Sequence, residues 1–159
     1  MDKFLGSIYC WFENLFGQNL AEHLWGYDCS TQDYTNQNQF NTIGLITLGI
    51  SAFLVIFYYY ILNHPRFNKW WSWLIILGFN SVVSLFVGFG ITNSDLLNGK
   101  ISECLMYVRN EKGDIIQTLI TDSNCWGFGT ANMFVSILFF VVLSFTFKWG
   151  SSNCKRSPF

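Results

Sequence analysis

Three stretches of this chain run for about 20 residues each without a formal charge: 42–62 (TIGLITLGISAFLVIFYYYIL), 70–91 (WWSWLIILGFNSVVSLFVGFGI) and 126–147 (WGFGTANMFVSILFFVVLSFTF). A helix needs about 20 mostly apolar residues to cross ~30 Å of hydrocarbon, so each is long enough to span a bilayer with some tilt. A soluble domain would leave such helices wet on one side, with a charged stripe to match. Charged residues are only 12% of the 159, against roughly 25% in an average soluble domain. The chain therefore reads as a mainly α, multi-pass membrane protein with three transmembrane helices.

Charge placement predicts the orientation. The loop 63–69 carries Arg66 and Lys69, and the tail 148–159 carries Lys148, Lys155 and Arg156, with no acid in either. Residues 1–41 and 92–125 hold all ten acids, with four bases: Lys3, Lys100, Arg109 and Lys112. One side thus carries +5 and the other −6, giving the net −1. Positive flanks stay on the cytoplasmic or matrix side, which puts the N-terminus outside and the C-terminus inside. Tyr58 to Tyr60, Trp70, Trp71 and Trp73 suit an inner aromatic belt, and Trp126 an outer one. The tail bases are expected to meet anionic headgroups, with Pro158 and Phe159 as an alternative docking peptide. A net charge near zero offers no field for nucleic acid.

Outside the spans, residues 1–29 read as an extracytoplasmic amphipathic helix, with Phe4, Ile8, Trp11, Phe12, Leu15 and Phe16 at helical spacing. Its rings are expected to enter a lipid interface or a partner groove. Glu13 interrupts any secretory-signal core. The polar tract 30–41 reads as a solvated linker. Within 92–125, Leu105 to Val108 and Ile115 to Thr121 flank Asn110-Glu111-Lys112-Gly113, the pattern of a β-hairpin. A lone hairpin is marginal in water, so it is expected to lean on the N-terminal helix.

Four cysteines fall outside, Cys10, Cys29, Cys104 and Cys125, and Cys154 falls inside. That division suits disulfides on the oxidising side. Four cysteines allow three connectivities. Closing the hairpin favours Cys104–Cys125, with Cys10 buried and reduced in mid-helix. No CxxC spacing supports redox catalysis or zinc.

Inside the spans, small and polar residues recur on single faces: Asn80, Ser84 and Gly88; Asn132 and Ser136, with Ser144 beyond; and Gly44, Thr47 and Ser51. Such residues let helices approach and hydrogen-bond in lipid. In a channel of several copies they would instead line the pore, although charged rings or a backbone filter are absent from the spans. Gly88-Phe89-Gly90 and Gly127-Phe128-Gly129 mark either helix breaks or close approaches.

For chemistry the sequence offers little. His23 is expected on the solvated face beside Glu22, and His64 in an inner turn ended by Pro65. There is no phosphate loop, HExxH, GxSxG or intramembrane carboxylate pair. No cofactor or metal is expected, and the protein reads as non-enzymatic. The expected function is an integral membrane subunit within a larger assembly. Its partners are the lipid bilayer and other membrane subunits or copies of itself. The alternative is a homo-oligomeric channel gated through its extracytoplasmic cap.

Overall fold

A computed structural model describes residues 4–35, 37–61, 70–110 and 112–148. Its order is α1 (Phe4–Cys10), α2 (Glu13–Phe16), α3 (Gln18–Trp25), β1 (Tyr27–Asp28), β2 (Asp33–Tyr34) and α4 (Gln39–Ile56). There follow α5 (Trp70–Leu97), α6 (Glu103–Met106), β3 (Tyr107–Arg109), β4 (Ile115–Thr118) and α7 (Asp122–Phe147). A π-helical turn, Phe57–Ile61, extends α4. Three helices are thus long and apolar enough to cross a membrane: Gln39–Ile61, Trp70–Leu97 and Asp122–Phe147. Each overruns the uncharged stretch that marks it, because polar caps and helical ends fall outside an apolar pattern. Asn38 Oδ1 accepts the Asn41 N–H at 3.3 Å to start α4. Asn124 Oδ1 accepts the Thr121 N–H at 2.9 Å to start α7.

The long helices pack around two apolar clusters. One, at the end bearing α3 and the hairpin (the cap end), joins Tyr9, Phe16, Leu24, Phe40, Leu105 and Phe128. The other, at the far end, joins Leu54, Val55, Tyr58, Tyr59, Trp73 and Phe140. Tyr58, Tyr59 and Trp73 are therefore core residues, where an interfacial belt was expected. Trp70 and Trp71 remain exposed.

The two Gly-Phe-Gly motifs lie inside unbroken helices. A Cβ on Gly88 would stand 2.9 Å from Asn132 Cβ, and one on Gly129 would stand 2.9 Å from the Leu85 carbonyl. Their role is close approach of α5 and α7.

The expected amphipathic helix 1–29 is three short helices. The chain turns at Trp11-Phe12, and Gly17 has φ +84°, which no right-handed helix can continue. The helical wheel loses phase at both points. Phe4, Trp11 and Leu15 end up exposed, while Tyr9 and Phe16 are fully buried. The segment follows α7 antiparallel: Phe12 stacks on Phe134 at 5.6 Å, and Asn124 Nδ2 donates to the Phe16 carbonyl at 2.9 Å. At Gly127 the Leu15 backbone crosses where any Cβ would collide.

The hairpin forms, with Tyr107 opposite Thr118 and an irregularity between Val108 and Arg109. Its strands are largely exposed. Only its base is packed, where Ile101, Leu105 and Ile120 enter the cluster that holds Leu20 and Leu24 of α3. The tract read as a linker doubles back: Tyr27 pairs with Tyr34 and Asp28 with Asp33.

Candidate functional site

Two buried polar constellations stand out. The first lies between the two apolar clusters. Asn132 is completely buried. Its Oδ1 accepts from Tyr9 Oη at 2.6 Å and Thr47 Oγ1 at 2.9 Å. Its Nδ2 donates to the Ser84 carbonyl at 2.6 Å. One turn further along the bundle, Asn80 Oδ1 accepts from Ser51 Oγ at 3.2 Å, and Asn80 Nδ2 donates to the Ser136 carbonyl at 3.2 Å. Trp73 Nε1 donates to Ser144 Oγ at 3.3 Å. The structure thus brings Thr47, Ser51, Asn80, Ser84, Gly88, Asn132 and Ser136 together inside a single chain. An intramembrane amide is costly unless it is paired, and both asparagines have partners for oxygen and nitrogen. Ser84 Oγ alone in this layer lacks a hydrogen-bond partner among the described residues.

The second constellation lies at the cap end, where α3, the start of α4 and the end of α5 meet. A cleft of about 430 Å³ is lined by His23, Gln37, Gln39, Thr42, Asp95 and Lys100, among others. His23 is 8% exposed and Asp95 4%. Their facing atoms, Nε2 and Oδ2, are 3.7 Å apart, beyond hydrogen-bond length. Neither atom has a hydrogen-bond partner among the described residues. Lys100 Nζ reaches the other Asp95 oxygen at 3.0 Å from an exposed position. Burial pushes the His23 imidazole below its ordinary value; Asp95 pulls it partly back and Lys100 opposes that.

His23 is therefore buried, contrary to its expected solvated position. Its neighbour Glu22 pairs with Gln18 instead. The signal for Asp95 was the ridge itself: Asn80, Ser84, Gly88, Thr92 and Asp95 continue along one helical face, and the four with side chains are all buried. Tyr9 had no comparable signal.

The cysteines pair differently from expectation. Cys29 is bonded to Cys104, Cys125 is free and buried, and Cys10 is free and half-buried. Cys125 lies in the first turn of α7 and is completely buried. Cys29 follows α3, which packs directly on α6. Of the bases used for orientation, Lys148 closes α7. Arg66, Lys69, Lys155 and Arg156 lie outside the described residues, as do His64 and Cys154. Among the described residues no three His, Cys, Asp or Glu side chains converge as a metal would require. No family model, curated protein or solved structure matches this chain.

Proposed function

We propose that this chain is a non-catalytic integral membrane subunit that docks other membrane helices along α5, with its N-terminus outside and its C-terminus inside. The observation that carries the reading is the uncovered face of α5. Trp71, Ile75, Phe79, Val82 and Phe86 recur every three or four residues along it and are each more than half exposed. Gly78 and Gly90 lie on the flanks of the same face, with nothing within 4 Å of where a Cβ would be. In lipid, exposed rings alone do not drive association, whereas small residues that admit a neighbouring backbone do. A glycine hole between Ile75 and Val82 suits a partner helix better than a lipid tail. Thr47, Ser51, Asn80 and Asn132 of the spans are occupied within the chain, which favours a packed subunit over a pore lined by them.

The test is native electrophoresis of the tagged chain, extracted from its own membrane in mild detergent. The expected result is a discrete complex larger than the monomer, which Gly78→Leu dissolves while the monomer keeps its helicity. A complex unaffected by Gly78→Leu would overturn the α5 interface. A ring of identical copies that conducts ions in liposomes would favour the channel. Orientation is read separately: an impermeant maleimide should reach Cys154 only after the membrane is opened.

A further inference from the structure

Helix α3 sits between two backbone joints. Gly17 (φ +84°) and Gly26 (φ +88°) both occupy the left-handed region that suits glycine. The eight residues between them form one short lever. Beyond Gly26, the Cys29–Cys104 bond ties the lever to the base of the hairpin. Leu20, Ala21 and Leu24 hold it to the apolar cluster. The other buried side chain on α3 is His23, set against Asp95.

The charges around His23 decide what a proton would do there. Asp95 is the anion in contact, and Lys100 already occupies it at 3.0 Å. Among the described residues no other carboxylate stands within 4 Å of the His23 ring nitrogens. On α6, Glu103 pairs with Arg109. On β1, Asp28 accepts from the Ser30 N–H and hydroxyl at 2.9 Å, and Tyr27 packs against the apolar cluster. The α4 helix has no titratable side chain, Glu13 of α2 lies beyond the Gly17 bend, and Glu22 of α3 pairs with Gln18. A protonated His23 would be a buried cation on a carboxylate that already pairs with the exposed Lys100, and burying an uncompensated charge is costly.

We propose that α3 is an acid-released latch. With His23 neutral, the helix lies closed on the Asp95 end of α5. When His23 takes up a proton, the imidazolium moves to water and α3 turns about Gly17 and Gly26, while Cys29–Cys104 keeps it tethered. The sign follows from linkage. Burial holds the closed-state imidazole below its ordinary value, and the open state restores the value near 6.5. The closed form is thus fully favoured above that pH and loses ground as pH falls through it.

Hydrogen exchange of the full chain in nanodiscs, at pH 7.5 and 5.0 and corrected for intrinsic rates, tests the latch. Opening of residues 18–25 should rise at the lower pH by up to about thirtyfold, the limit for roughly 1.5 pH units below the open-state value. The amides of α5 and α7 should hold. In His23→Gln the two conditions should give equal protection. In Lys100→Met the imidazolium no longer competes with a second cation for Asp95, while burial still opposes it, so acid release of α3 should be weaker than in the unaltered chain. Equal exchange of the unaltered chain at both pH values, or the same acid response in His23→Gln, would overturn the proposal. Should His23→Gln fail to fold, an acid release undiminished in Lys100→Met overturns it as well.

Discussion

Tyr9 donates its hydroxyl proton to Asn132 Oδ1 across 2.6 Å, joining positions 123 residues apart. Thr47 shares the same oxygen and Ser84 receives the amide N–H, so one side chain links α1, α4, α5 and α7. Asn132→Leu would leave two buried hydroxyls without an acceptor. Each such orphan costs about 1–3 kcal/mol in water-soluble proteins, and intramembrane hydrogen bonds average nearer 0.6. The expected loss for Asn132→Leu is therefore about 2 kcal/mol. For Tyr9→Phe, which removes one donor and leaves Thr47 in place, it is about 1 kcal/mol. Unfolding by sodium dodecyl sulfate from mild micelles, followed by helicity, measures both. An Asn132→Leu chain as stable as the original would mean that the amide is not structural.

The cap should depend on Cys29–Cys104 where the spans do not. The bond closes a loop of 75 residues, for which chain entropy alone predicts about 4 kcal/mol. That is an upper bound, because the loop contains α4 and α5, and helices this apolar would stay helical in any denatured state that kept them in a bilayer. Reduction, or Cys29→Ser, should speed proteolysis of the 101–121 segment several-fold and leave the helicity of the long helices unchanged. Alkylation before reduction, then mass mapping, should find Cys10 and Cys125 labelled and Cys29 and Cys104 protected. A Cys104–Cys125 peptide would reverse the assignment.

How much of this was legible in the sequence depended on whether a feature was local. The spans announce themselves because hydrocarbon tolerates no stretch of charge, and the Asn80-Ser84-Gly88 ridge because helical neighbours repeat every four residues. The hairpin showed in its Val, Ile and Thr runs around Asn110 and Gly113. What failed needed phase or distance. A wheel drawn from Phe4 cannot place His23, since the turn at Trp11 and the Gly17 bend each reset the angle. The partner of Cys104 could not be read either, because only the packing of α3 on α6 brings Cys29 within reach. Asp95 escapes the pattern for a simpler reason: the apolar stretch ends at Ile91, one turn before the ridge reaches its carboxylate.

Two glycines of α5 make a controlled comparison of what small size does there. Gly88 faces α7, where an added Cβ would stand 2.9 Å from Asn132 Cβ, an atom fixed to a helix backbone; Gly90 faces outward with nothing within 4 Å. Alanine at either site gains up to about 1 kcal/mol of helix propensity. At position 88 that gain meets an overpacking cost of about 1–3 kcal/mol, since α5 and α7 must separate or Asn132 must leave its partners. Gly88→Ala should therefore lower the stability of the isolated chain by about 1 kcal/mol, and Gly90→Ala should leave it unchanged or slightly raised. The same detergent titration reads both. The Gly88→Ala deficit should also shrink when Asn132→Gly has already removed the Cβ that it meets, because the two changes act on one contact. Equal effects at the two positions would show that α5 and α7 do not meet at Gly88.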